Sequence, residues 1–449
     1  MLKPVRKHLS LFALTLIVML SLATALPGEP NAPLSPEDCV KIALGVHPEV
    51  KLAAQRVQET QQKIRQARSL KGPQVDFDTS WTDYKWLPPN KQKIIGGGTT
   101  DVYSEVALRQ LLYSGGRTQA LLDQARLDLL AAHEELRRTR QSVAFQVNKA
   151  FFFLRQAEEL LRAQQEGVNQ VQAYLEIAQK RFAVGSAREI DVMKAKVQLA
   201  DVQQARIAAE NTVAVARMTL NFAMGRPADT PLDIVHDSVI TPPPETKPRP
   251  FGEALLSHPE WIRSELAIRG AEAGLTVAKS LASPDLALQA SYNFEGGSFL
   301  PDINDWNVGL RVSVPLLDSG NAAGAKGAAR ARIEQTRSVQ ERLRQRLELA
   351  VQEAQVAVRD AQERMRVTAL SADEARRTLA VEQERYRVGA GSSIEVIDAQ
   401  VALTRAETNA IRATYDYRIA LAQLEYALGH DPALAGEQKL PLRAAGGQQ

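Results

Sequence analysis

Hydrophobic and polar positions along the chain follow two alternating rhythms, and each rhythm occurs twice. Over 118–181 apolar residues recur in four- and three-residue steps, with Val143, Val147, Ala150, Leu154, Ala157 and Leu161 as the clearest run. Leu347, Val351, Ala354, Val358, Ala361 and Met365 repeat those steps with an offset of 204. Such a heptad seam predicts helices packed nearly parallel with a left-handed twist. About 65 residues at 1.5 Å each make a helix of about 100 Å, so the molecule is expected to be long and narrow. Patterning resumes through Val192, Ala195, Leu199 and Val202, and through Val396, Ala399, Leu403 and Ala406. Each long helix is therefore followed by a second one.

The other rhythm has a period of two. Bulky residues take every second place in 75–82, 102–112, 286–294 and 306–314, which predicts four strands, at 75–86, 102–112, 286–294 and 306–315, with one apolar and one polar face. Helices are expected ahead of each strand pair, from Pro36 to about Leu70 and from Phe251 to about Leu281. Three of the four tryptophans, Trp81, Trp86 and Trp306, fall in the strand regions. Two strand pairs cannot cover their own edges or their apolar face. Either helices cover them or they close into a membrane barrel, where the apolar face meets lipid. Four strands are too few to close such a barrel; two chains would supply eight and three would supply twelve.

Short motifs recur in register with these elements. His47-Pro48-Glu49 returns as His258-Pro259-Glu260, Leu111-Leu112-Tyr113-Ser114-Gly115 as Leu316-Leu317-Asp318-Ser319-Gly320, and Ala223-Met224-Gly225 as Ala427-Leu428-Gly429. RFAVGSAREIDVMKAKVQL (181–199) returns as RYRVGAGSSIEVIDAQVAL (385–403), between the paired helices. Gly185 and Gly389 suit the left-handed residue that closes a helix, and Ser186, Ser392 or Ser393 suits the cap of the next. Asp191 and Glu395 stand in or near the first turns of those following helices, where negative charge is favoured. The chain thus divides into 26–229 and 251–430 as two copies of one unit, a Pro-rich connector at 230–250 and a tail at 431–449.

Composition and charge narrow the function. Lys3, Arg6 and Lys7 precede an apolar stretch and the cleavage-type triplet Ala23-Thr24-Ala25, so 1–25 reads as a secretory signal peptide. Its removal takes the formal charge from +3 to 0, leaving no electrostatic case for nucleic acid. No later run is long and apolar enough for a transmembrane helix. The single Cys39 excludes an intrachain disulfide and reads as a buried helix residue. The histidines are scattered without metal-ligand spacing, and no nucleophile elbow or phosphate loop is present, so no enzyme, metal or cofactor is expected. Gly96-Gly97-Gly98 reads as an external loop tip.

The order of elements, the duplication, the RFAVG and RYRVG turns, the Leu-Leu-x-Ser-Gly strand ends and the Ala-x-Gly helix ends resemble the TolC family from about Leu34 to Gly429. That family supplies outer-membrane exit channels to efflux pumps and type I secretion systems of Gram-negative bacteria. The resemblance implies a mainly α fold: a homotrimer with a 12-stranded barrel in outer-membrane lipid and a periplasmic α-helical barrel. It also implies a periplasmic adaptor (membrane fusion protein) and an inner-membrane efflux transporter as partners. The glycine turns become periplasmic tips, with Val184, Gly185, Ser186, Val388, Gly389 and Ala390 meeting the adaptor. Glu395 and Asp398 resemble the acids that line the constriction, and Tyr386 and Asp191 a contact that holds it closed. Where the family pattern places an arginine, this chain has Gly391, so a tether is missing unless Arg188 replaces it from the other turn. The rival reading, a secreted periplasmic coiled-coil scaffold or adaptor, explains the heptads but not the strands.

Overall fold

The computed structural model describes residues 33–86, 88–89, 91, 98–236, 251–296 and 303–430. The signal peptide, most of the connector, Gly96, Gly97 and the tail lie outside them. Twelve elements follow in chain order: α1 (Pro36–Val46), α2 (Pro48–Ser69), β1 (Gln74–Asp83), β2 (Thr100–Ser114), α3 (Arg117–Ala183) and α4 (Glu189–Ala223). The second half repeats them as α5 (Phe251–Ser257), α6 (Pro259–Ser280), β3 (Asp285–Gly296), β4 (Ile303–Ser313), α7 (Asn321–Arg387) and α8 (Ser393–Ala427).

The helix expected from Pro36 to Leu70 is two helices, and so is that expected from Phe251 to Leu281. Both break at His-Pro. Proline disfavours helical conformation in the residue before it, and His47 and His258 are accordingly extended, with ψ of 130° and 126°. Each imidazole then caps the next helix, its Nδ1 accepting the N–H of Glu49 or Glu260 at 3.2 Å. The helix-end glycines pack on these same histidines. Gly225 and Gly429 have φ of +71° and +69°, and a Cβ on Gly429 would come within 2.7 Å of the His258 ring. The recurring His-Pro-Glu and Ala-x-Gly motifs are two halves of one joint, made twice at mid-height.

The strands join into one antiparallel sheet, order β1-β2-β3-β4. Their bounds differ from expectation by a few residues at the ends. The first stops at Asp83 rather than 86, so Trp86 lies outside it, and the fourth stops at Ser313 rather than 315. The register sorts the side chains. Phe77 faces Val106, Trp81 faces Val102, Tyr292 faces Trp306 and Leu288 faces Leu310 on one side. The other side carries Asp78 opposite Glu105, with Asn293 and Asp305 continuing the same row. Trp81 is 79% exposed and Trp306 69%. The outer edges of β1 and β4 are unpaired among the described residues. An apolar sheet face in water together with two open edges is costly, so the sheet is incomplete as a single chain.

Beyond the sheet the helices pack side by side in a layer. Near the strands it runs α2, α3, α6, α7; farther away α4 and α8 replace α2 and α6 beside the continuing α3 and α7. The expected seam packs as predicted: Val143, Val147, Leu154 and Ala157 are buried, as are Leu347, Val351, Ala354 and Ala361. Cys39 lies fully buried among Val143, Leu154 and Leu220, and burial pushes its thiol up to about 11. Among the described residues no helix is long and apolar enough to cross a membrane.

Candidate functional site: the paired helical tips

At the end remote from the sheet, α3 turns into α4 and α7 into α8. Gly185 and Gly389 adopt φ of +72° and +84°, positions where a side chain is strained. The next amide reaches back in each turn, Ser186 N–H to the Arg181 carbonyl and Ala390 N–H to the Arg385 carbonyl, both at 2.8 Å. These are glycine-terminated helix ends in which the freed carbonyls are satisfied. Val184 and Val388 project at the apex, 75% and 63% exposed. The tips are thus closed by their own hydrogen bonds and present a glycine and an exposed valine each.

The caps differ between copies. Ser392 starts α8, its N–H donating to Glu395 Oε2 at 2.8 Å while its Oγ accepts the Glu395 N–H. Hydrogen bonding from the Ser392 amide holds the Glu395 carboxyl below its ordinary range. Ser186 does not cap α4; Arg188 occupies that position, and Asp191 accepts its N–H at 3.2 Å. The two turns are equally long, each cap lying three residues after its glycine, so Ser186 corresponds to Ala390 and stands two residues short of the cap position. Glu395 and exposed Asp398 lie three residues apart, so they share one side of α8.

Tyr386 and Asp191 are both buried, 5% and 8% exposed, around Tyr174. They do not bond to each other: Asp191 serves Arg188, and the Tyr386 hydroxyl has no partner among the described residues. Arg188 stays with its own hairpin, 3.7 Å from Asp191. The link between hairpins comes from elsewhere. Arg181 donates to the Tyr386 carbonyl, lies 4.7 Å from the Tyr386 ring centroid and donates to the Ser186 carbonyl at 3.3 Å. Tyr174 packs its ring 5.4 Å from that of Tyr386 and donates to Ser393 Oγ at 2.6 Å. Burial raises the Tyr174 hydroxyl above its ordinary range, so it stays neutral. Sequence reasoning missed these two residues. Arg181 was visible as the first letter of the repeated motif; Tyr174, eight residues from Phe182 along an unbroken helix, had no signal.

A duplicated unit, a sheet that needs further strands and a layer of helices about 100 Å long define the class of outer-membrane channel proteins with a helical extension. The profile of the outer membrane efflux protein family matches residues 39–226 and again 251–430. The chain belongs to that family, one of outer-membrane channels of efflux systems and not of enzymes. Among curated relatives, the outer membrane efflux protein BepC of Brucella suis is 23% identical over 72% of this chain and 71% of its own. Outer membrane protein TolC of Vibrio cholerae is 26% identical over 69% and 72%. Among solved structures, CusC superposes with a TM-score of 0.78 at 18% identity, covering 91% of this chain and 96% of that one. VceC from Vibrio cholerae gives 0.75 at 17%, covering 88% and 96%.

Proposed function

We propose that three copies of this chain close their sheets into one 12-stranded barrel, giving a passive conduit from an inner-membrane efflux transporter and a periplasmic adaptor to the exterior. The observation that carries this is the sheet: one apolar face, one polar face and two open edges, attached to helices of about 100 Å. Residues 1–25 direct export, 26–229 and 251–430 are the two structural repeats, and 431–449 forms a tail. A coiled-coil scaffold has no use for such a sheet.

In this reading the tips are the periplasmic gate. Threefold symmetry turns Glu395 and Asp398 into two stacked acidic rings that attract cations and narrow the opening. Tyr386, packed against Tyr174 and Arg181, holds the hairpins in the closed arrangement, while Asp191 fixes the start of α4 beside them. Val184, Gly185, Ser186, Val388, Gly389 and Ala390 supply shape for the adaptor to grip.

The test is block of single-channel current by hexaamminecobalt(III) added at the periplasmic side. Glu395→Ala with Asp398→Ala should weaken block about a hundredfold, since multivalent attraction to a carboxylate ring depends steeply on its charge. Unchanged block in a conducting variant would remove those residues from the constriction. Gly389→Pro should impair transport while trimers still assemble; loss of trimers would make the turn a folding element instead.

A further inference from the structure

Two clefts lie along the helical layer, one in each half of its length, and each is lined by two arginines without an ion-pair partner among the described residues. The first, about 1030 Å³, is bordered by α3 and α7 and floored by α6. The second, about 460 Å³, is bordered by α4 and α8 and floored by α3 at Gln164. Arg332 and Arg342 line the first, Arg405 and Arg412 the second. None of the four has an ion-pair or side-chain hydrogen-bond partner among the described residues, whereas Arg263, Arg337, Arg344, Arg346 and Arg376 nearby are paired. Glu260 in the first cleft is already taken by Arg138 and Arg346. That leaves one unpaired acid in each, Asp128 and Asp201. The net charge of each cleft is therefore positive.

Their placement in the fold is common too. Each cleft is a groove over a middle helix, α6 in the first and α3 in the second, walled by the helices on either side of it. Asp398, Arg405 and Arg412 are spaced by seven residues, so they share one face of α8 over about 20 Å. If Asp398 faces the pore, Arg405 and Arg412 face it behind the gate. Both clefts also contain small or apolar surface beside the cations: Leu127, Ala131 and Ala267 in the first, Val202, Ala205 and Val401 in the second.

We propose that these clefts are transient binding stations for amphipathic organic oxyanions, so that the cargo class of this channel is organic molecules bearing a sulfonate, carboxylate or phosphate group. An unpaired guanidinium offers a planar donor fork to an oxyanion, and the low-dielectric walls of a conduit focus its field. The apolar neighbours accept the organic body. Positive stations behind acidic rings let a multivalent cation sit at the gate while an anion is drawn onward from it. The inference rests on the channel reading above.

The probe is pyranine, a pyrene trisulfonate, titrated with the purified detergent-solubilised protein and followed by fluorescence anisotropy. Wild type should bind saturably. Arg405→Gln with Arg412→Gln, and separately Arg332→Gln with Arg342→Gln, should each weaken binding about tenfold, as expected for losing two charge-assisted contacts at a partly solvated site. Added at the sheet side of a planar bilayer, pyranine should block wild-type current and block the variants less. Equal anisotropy curves for wild type and variants would overturn the proposal. So would variants that fall apart into single chains on gel filtration, because the arginines would then be subunit contacts. A protein that conducts without binding pyranine sinks this inference alone, whereas binding without conduction sinks the channel reading.

Discussion

At the residue scale the tip depends on Arg181. Its guanidinium meets a carbonyl and a ring on the sister hairpin and a carbonyl on its own, and such charge-assisted contacts are together of order 1–3 kcal/mol. Arg181→Ala should loosen the hairpins and raise single-channel conductance severalfold at unchanged trimer content. Conductance equal to wild type would mean that the apolar cluster around Tyr174 holds the tip unaided. Arg181→Lys should behave like the alanine variant, because an ammonium has neither the planar stack nor the fork. The tether that Gly391 lacks is thus present, but from the opposite turn and four residues before Gly185. Only three-dimensional pairing of the hairpins reveals it, since nothing in either motif says which arginine crosses.

His258 carries a second residue-scale prediction. Burial, helped by Arg138, lowers its imidazole from 6.5 to about 4. A base with a depressed folded-state value binds its proton more readily when unfolded. Its contribution is therefore complete above pH 6.5 and fades as pH falls toward 4, by about 3 kcal/mol at most. Guanidinium unfolding midpoints should drop across that window in wild type and drop less in His258→Gln. Parallel pH profiles would contradict the assignment.

At the scale of elements, the strands show how much the alternation can and cannot tell. Period-two patterning located all four strands and both of their faces, because side-chain direction in a strand is fixed by parity. It placed the ends less well: Trp86 is out of step with Val75, Phe77 and Trp81, and it follows Asp83, where pairing with Thr100 ends. The His-Pro joints were missed for a different reason. Apolar spacing runs on through Val46 and Val50 as though one helix continued, and the proline rule that breaks it is local and overrides the period. The long helices were read nearly to their bounds, since seven-residue spacing over so many turns has few competing explanations. For the sheet, Val308→Arg puts a charge on the apolar face of β4, where Val308 is 64% exposed in the single chain. If that face meets lipid the change should cost about 2–4 kcal/mol and abolish membrane-inserted protein. Asn307→Arg, one residue along on the polar face, should be tolerated; equal damage from both would contradict the sidedness.

At the scale of the whole molecule, duplication explains why two different half-sites exist. The copies share a joint at His47 and His258 and a glycine at each tip, yet the second carries Glu395, Asp398 and the arginines behind them. Its first-copy counterparts, by the offset of 204, are Asp191, Lys194, Asp201 and Ala208. Asp191 is buried and spent on a helix start, so only the second copy presents a graded series of charges along one helix face. All of this presumes that the open edges of β1 and β4 are closed by other copies of the chain. Native mass spectrometry of the detergent-extracted protein counts those copies directly. The account predicts a trimer, twelve strands from three sheets; a stable monomer or dimer as the only species would contradict it.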